Sequence, residues 1–97
     1  MTTPTVEDVR GYRDEIMAIA QRRHVDRVRV FGSVARGSAG PASDIDFLVD
    51  FDSTASILDQ VALTRELGEL LGCAVDVISV RGLRPADTHI LQDAIDL

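Results

Sequence analysis

The sequence contains no lysine, no tryptophan and only one cysteine. One cysteine, Cys73, excludes an intrachain disulfide and fits a reducing compartment, so we expect a cytoplasmic protein. No apolar run approaches the ~20 residues that a transmembrane helix needs. The first residues show no basic segment followed by an apolar run, so we also expect no signal peptide.

Positive charge is also scarce, because ten arginines stand against sixteen acidic residues and the formal net charge is −6. An acidic chain has no overall attraction for a polyanion, which disfavours long DNA or RNA as its main ligand. A small anion can still bind where a metal ion or a few arginines supply local positive charge. Only four residues are aromatic, so the core must be aliphatic.

The 97 residues are enough for one domain, 1–97, with one modest core. The hydrophobic pattern predicts helices over 5–23, 56–71 and 86–95 and strands over 27–31, 44–51 and 73–80. A short helical turn fits within 34–42, and 81–85 is predicted to be a loop. This order predicts an α/β fold of the α+β type, in which a small mixed β-sheet carries helices mainly on one face.

Two of the predicted helices carry recognisable end signals. Thr5 with Asp8 is typical of a capping box, and a start at Thr3 with Pro4 is the competing interpretation. The second long helix has a cap at its start and a glycine at its end, which are Ser56 with Asp59 and Gly72.

Three aspartates occupy predicted strands. Asp44 and Asp46 lie two residues apart, so strand alternation directs both carboxylates to one face of the sheet. Alone, such a pair is more often a pair of surface acids. Asp76 interrupts an otherwise apolar strand, where it either faces water at a sheet edge or lies beside the other two. Three adjacent carboxylates repel one another unless a cation holds them, and oxygen ligands favour Mg²⁺ or Mn²⁺.

Gly32 and Ser33 follow the first strand and open the short helical turn. Glycine lets the backbone approach a ligand closely, and the N-terminus of a helix offers free N–H groups to phosphate. The Ser33 hydroxyl adds a further donor. The alternative interpretation is an ordinary strand-to-helix turn that Ser33 caps.

Other ligand motifs do not fit. Gly32 and Gly37 have the glycine spacing of a Walker A loop, but the required lysine is absent. An EF-hand loop starting at Asp44 would lack its glycine and its final glutamate. One cysteine and two distant histidines exclude the common zinc patterns, and we expect His24 and His89 to be helix-end or surface residues.

Gly32-Ser33, ten residues and then Asp44-Ile45-Asp46 together resemble the signature of the DNA polymerase beta nucleotidyltransferase superfamily. The longer runs 31–37 and 43–47 resemble its minimal branch, the MNT proteins, which are antitoxins paired with HEPN-domain toxins. The resemblance covers roughly 6–95, and Asp76 stands where the third carboxylate of the family belongs.

The resemblance implies roles for individual residues. Asp44 and Asp46 would bind two Mg²⁺ ions that also hold a nucleoside triphosphate, with Mn²⁺ as an alternative. Asp76 would complete the shell of the ion that activates the attacking hydroxyl. Gly32 and Ser33 would hold the terminal phosphates, and Arg36 would contact phosphate or the acceptor protein; these three are the expected nucleotide-binding residues.

The resemblance also implies a partner, a cognate HEPN ribonuclease that the chain would neutralise by transferring AMP from ATP to a tyrosine. A chain of this length would lack the helical domain with which larger relatives hold small acceptors, which favours a protein acceptor. Three alternatives stay open: an antitoxin that only binds and blocks its toxin, an enzyme that modifies aminoglycosides, and a structural protein with no nucleotide site.

Overall fold

The computed structural model describes residues 3–97, which form four strands, five α-helices and two short 3₁₀ segments. The helices are α1 (Val6–Arg10), α2 (Arg13–Arg22), α3 (Gly32–Arg36), α4 (Ile57–Leu71) and α5 (Thr88–Asp93). The strands are β1 (Val25–Phe31), β2 (Ile45–Phe51), β3 (Val75–Ser79) and β4 (Ile95–Asp96). The 3₁₀ segments are Val80–Gly82 and Pro85–Asp87. Within residues 3–97, no helix has the length and apolar character that crossing a membrane requires.

The four strands form one mixed sheet in the order β3-β2-β1-β4. The pairs β1–β2 and β1–β4 are antiparallel, whereas β2 and β3 are parallel because α4 carries the chain back between them. The start of β2, the start of β3 and the end of β1 therefore lie at the same end of the sheet.

The two faces of the sheet are covered unequally. The main core lies on one face, where α1, α2 and α4 pack on alternate residues of the strands; the central side chains include Ile16, Val30, Phe47, Leu63 and Leu67. The opposite face carries a smaller cluster of Phe31, Leu48 and Ile90, over which α5 packs. The predicted fold, a small mixed sheet with helices mainly on one face, is confirmed.

Local end signals account for the two long helical segments. The Thr5 side chain accepts a hydrogen bond from Asp8 N–H, and the Asp8 carboxylate accepts one from Thr5 N–H, so the predicted capping box is present. At the start of α4, Ser56 N–H donates to the Asp59 carboxylate at 2.9 Å, and the helix ends at Gly72 in the left-handed conformation. Caps of this kind contribute about 1 kcal/mol each.

The prediction of one continuous helix over 5–23 was wrong, because the segment breaks between α1 and α2. Tyr12 adopts φ −104° and ψ 14°, which lies outside the helical range, and precedes α2. Its N–H donates to the Val9 carbonyl only three residues back, at 3.0 Å, so the hydrogen-bond ladder tightens at Tyr12. The apolar spacing survives this break, which is why the pattern alone indicated one helix.

The end of the chain also differs from the prediction. The predicted helix over 86–95 is shortened to α5, and Ile95–Asp96 instead pair with Arg29 and Val30 of β1 as a fourth strand. The predicted loop at 81–85 contains parts of both 3₁₀ segments. Strand bounds shift by one or two residues, so Asp44 immediately precedes β2 rather than starting it.

Candidate active site

The three aspartates singled out by sequence lie at one end of the sheet. Asp46 of β2 is in register with Asp76 of β3 across the parallel pair, so their side chains leave the same face. Asp44 lies just before β2, where Ile45 N–H donates to the carbonyl of Ala74 at 3.1 Å and starts the pairing. The two interpretations of Asp76 do not exclude each other. Asp76 is exposed to water on the edge strand β3, and it also lies beside Asp46.

Gly32 brings backbone directly against the Asp46 carboxylate. The antiparallel register pairs Phe31 with Asp46, so the residue after Phe31 meets this side chain. Gly32 has φ +73°, and a Cβ atom there would lie 2.3 Å from Oδ2 of Asp46. Both the backbone conformation and the available space therefore require glycine at this position.

The α3 helix begins at Gly32, so its first N–H groups have no partner within the helix and lie beside Asp46. Ser33 is half-buried in this first turn. The helix ends at Gly37, which has φ +72°, and Ser38 N–H then donates to the carbonyl of Ser33 at 2.9 Å. A short helix with free N–H groups at its start can bind an anion such as phosphate.

Electrostatics couple the three carboxylates. Burial raises the pKa of Asp46, and the negative charges of Asp76 and Asp44 raise this pKa further. The positive charge of Arg36 acts in the opposite direction on the same pKa. A bound cation would therefore favour the ionised form of Asp46.

The donor set fits a hard divalent cation in its chemistry. All three side chains offer carboxylate oxygens, which are the ligands that Mg²⁺ and Mn²⁺ prefer. As they stand, no three His, Cys, Asp or Glu side chains among residues 3–97 converge closely enough to enclose a metal ion. A cation bound between these carboxylates would offset their mutual repulsion.

Arg36 occupies the last turn of α3, and its side chain is directed toward α5. Its Nη1 donates to Oδ2 of Asp93 at 2.6 Å. The sequence analysis did not single out Asp93, which is 57 residues away and matches no local pattern. His24 follows α2 and His89 lies exposed on α5, so both are helix-end or surface residues as expected.

A cavity of about 400 Å³ lies on the other side of α3. It is lined by the segment 3–7 and by α3, and of the expected site residues only Arg36 borders it. The carboxylates therefore stand on an open surface, since Asp44 and Asp76 are both exposed.

Three carboxylates beside a glycine-started helix are groups that metal-assisted phosphoryl chemistry can use, and comparison with known sequences gives the family. Residues 13–95 match the family model described as the nucleotidyltransferase domain. The chain therefore belongs to the nucleotidyltransferase domain family, a family of enzymes, and the resemblance found in its sequence is confirmed.

Two curated relatives are named as protein adenylyltransferases. One, from Methanocaldococcus jannaschii and named only provisionally, is 37% identical over 91 residues that cover 93% of this chain and 98% of the relative. The other is MntA of Thermococcus cleftensis, which is 39% identical over 66 residues that cover 68% of this chain and 67% of MntA.

Solved structures agree with the fold. A structure provisionally described as a minimal nucleotidyltransferase matches with a TM-score of 0.85 at 42% identity and covers 96% of both chains. A complex of an MNT antitoxin with the tri-AMPylated HEPN toxin of Shewanella oneidensis contains a chain that matches with a TM-score of 0.68. At 17% identity, over 90% of this chain and 69% of that chain, this second likeness concerns the fold alone.

Proposed function

We propose that this nucleotidyltransferase transfers AMP from ATP to a hydroxyl of a partner protein, a tyrosine of a HEPN ribonuclease toxin, and thereby neutralises it. The observation that carries the proposal is the contact of Gly32 with Asp46, which joins a phosphate-binding helix start to a carboxylate. Relatives named as protein adenylyltransferases support the choice of AMP and of a protein acceptor. The choice of a HEPN toxin as partner rests on the sequence resemblance to MNT proteins, and a chain with the same fold occurs in a complex with a tri-AMPylated HEPN toxin.

The carboxylates of Asp44, Asp46 and Asp76 would hold the metal, which we propose to be two Mg²⁺ ions, with Mn²⁺ as an alternative. When bound, these ions supply neutralising charge for the triphosphate and lower the pKa of the acceptor hydroxyl. Asp46 would be the central ligand, because it is in register with Asp76 on the neighbouring strand and lies two residues after Asp44. The acidic surface then no longer opposes binding of an anionic substrate.

The start of α3 would position the phosphates of ATP. The N–H groups of the first turn and the Ser33 hydroxyl donate to phosphate oxygens, and Gly32 allows the backbone to come close. Arg36 would supply a further cation for phosphate or for the acceptor. Positioning and charge neutralisation are the main requirements of phosphoryl transfer, and these residues supply both.

The reaction forms a bond between the acceptor oxygen and the α-phosphorus and breaks the bond from that phosphorus to the bridging oxygen, so pyrophosphate leaves. Asp76 would help to take the hydroxyl proton, since its carboxylate is exposed to an incoming acceptor and lies beside Asp46. The open surface around Asp44 and Asp76 suits an acceptor that another protein presents.

Intact-protein mass spectrometry tests the proposal. The product of the neighbouring gene is incubated with this protein, ATP and Mg²⁺, and the Asp44→Ala/Asp46→Ala variant serves as the control. Additions of one or more adenylyl groups that the control abolishes are expected. A stable complex without any addition, with ATP or another nucleoside triphosphate, would contradict transfer.

A cytoplasmic location, inferred from the single cysteine, stays a prediction.

A second candidate is an antitoxin that acts by binding alone. Three aliphatic side chains on the first turns of α4 support it, since Ile57, Leu58 and Val61 are 71%, 74% and 61% exposed. Exposed apolar groups of this kind are typical of protein interfaces. The two candidate functions are distinguished by expressing the Asp44→Ala/Asp46→Ala variant with the toxin, at the same amount as the wild-type protein, and measuring protection against the toxin. Full protection would show that catalysis is not required, and lost protection would favour the enzyme.

A further inference from the structure

The ion pair between α3 and α5 joins the phosphate-binding segment to a helix that lacks any family motif. Arg36 Nη1 donates to Asp93 Oδ2 at 2.6 Å, which is a short, charge-assisted hydrogen bond. The side chain of Asp93 is the less exposed partner, at 28% against 53% for Arg36. Asp93 is therefore the better fixed of the two residues.

The anchoring of α5 explains why Asp93 is fixed. Ile90, one helical turn earlier, is buried against Phe31 and Leu48 on the face of the sheet that carries Asp46. Phe31 directly precedes the start of α3, so the same apolar contact holds α5 close to the phosphate-binding turn. The position of Asp93 relative to Gly32 and Ser33 thus follows from buried packing.

Arg36 has a long side chain that would otherwise sample many positions, and its pair with Asp93 directs it toward α5, which packs on the face of the sheet that carries Asp46. Only Nη1 is used by Asp93, and within residues 3–97 its other guanidinium donors have no protein partner. A guanidinium held at one nitrogen keeps its remaining donors in a fixed plane, which suits phosphate oxygens.

We propose that Asp93 is a positioning residue of this enzyme, which holds the Arg36 guanidinium beside the carboxylate site so that its free donors meet the triphosphate. The inference rests on the proposed function, because it needs ATP at the start of α3. Asp93 would act only through Arg36 and would not itself touch substrate or metal.

A double-mutant cycle on nucleotide affinity tests this role, with Mg²⁺ and the non-hydrolysable analogue AMP-PNP as the probe in isothermal titration calorimetry. We expect Asp93→Asn to weaken binding about two- to fivefold, the range that an exposed ion pair can supply. Asp93→Glu should restore most of this loss because it retains the carboxylate. Arg36→Gln should weaken binding about tenfold, and Asp93→Asn should add nothing in that background.

Asp96→Asn, on β4, is the matched control. It weakens the bidentate pair between Asp96 and Arg27 of β1 and leaves Arg36 untouched. It should leave AMP-PNP affinity unchanged. Unchanged or tighter binding in Asp93→Asn would overturn the inference, as would an equal loss in the Arg36→Gln background, which would indicate a general structural effect. Absence of AMP-PNP binding by the wild-type protein would instead contradict the proposed function. Thermal melting of each variant verifies that it folds.

Discussion

Gly32 and Asp46 are in such close contact that a Cβ atom on residue 32 would lie 2.3 Å from Oδ2 of the aspartate. The first turn of α3 can therefore approach the carboxylate only because residue 32 has no side chain. The register of β1 with β2, which pairs Phe31 with Asp46, sets this contact. A phosphate held by the turn and a metal held by the carboxylate would consequently share one small space.

The first prediction concerns Gly32→Ala, which we expect to abolish transfer and to destabilise the fold more than Gly37→Ala. Both glycines have φ near +70°, where an L-residue costs roughly 1–2 kcal/mol. Only at Gly32 does the added methyl group also collide with another residue, because nothing lies within 4 Å at Gly37. Thermal melting and the transfer assay measure both effects, and equal losses of stability in the two variants would contradict the steric argument.

The second prediction concerns Asp46→Asn, which should raise the melting temperature at neutral pH without added metal. Burial and the charges of Asp76 and Asp44 raise the pKa of Asp46, so ionisation costs more in the folded state than in the unfolded chain. This cost is present at neutral pH, declines as the pH falls through the raised folded pKa, and is absent below the unfolded pKa. The stabilisation should therefore shrink toward zero in acid.

The same variant tests the metal site. Mg²⁺ should stabilise the wild-type protein, because a ligand that binds only the folded state adds about 2.7 kcal/mol at a hundredfold excess over its Kd. Asp46→Asn should lose this gain. A melting temperature that Mg²⁺ raises equally in both proteins would place the metal elsewhere.

The third prediction compares the effect on kcat of replacing Asp76 with that of replacing Asp50, an acidic residue of the same sheet that lies away from the site. Asp76→Asn should lower kcat for transfer about 10²–10⁴-fold, the usual contribution of a positioned proton acceptor. Asp50, near the other end of β2, is paired with Arg29 at 3.1 Å, and Asp50→Asn should leave kcat unchanged. Steady-state kinetics decide the matter, and similar kcat values for the two variants would contradict the role of Asp76.

The fourth prediction contrasts two leucines of α4. Leu63 is fully buried in the main core, so Leu63→Ala should cost about 2–5 kcal/mol of unfolding free energy. Leu58 is 74% exposed, and Leu58→Ala should change this free energy by less than about 0.5 kcal/mol. Chemical denaturation measures both. A large loss at Leu58 would mean that the α4 surface is covered within the protein.

Much of the site followed from local sequence rules. Strand alternation predicted that Asp44 and Asp46 share one face, and the interruption of an apolar strand singled out Asp76. The parallel register that opposes Asp46 and Asp76 was not predictable, because it depends on how α4 returns the chain. The single domain over 1–97 stays a prediction.

The features that the sequence did not predict share a physical cause, because each depends on contacts that leave no local pattern in the sequence. The two-residue strand β4 forms because the edge of β1 is free to pair, and a two-residue strand leaves no period in the sequence. Apolar spacing continues across Gly11 and Tyr12, so it gave no sign of the break between α1 and α2. The pair of Arg36 with Asp93 spans 57 residues and was likewise invisible.

The most direct test of the central claim is the origin of the transferred group. The partner protein is incubated with this protein, Mg²⁺ and ATP that carries a radiolabel at either the α-phosphate or the γ-phosphate. The account predicts that label enters the partner from the α-position only, and that Asp46→Asn abolishes its entry. Label entering from the γ-position, or entry that Asp46→Asn leaves unchanged, would contradict nucleotidyl transfer at this site.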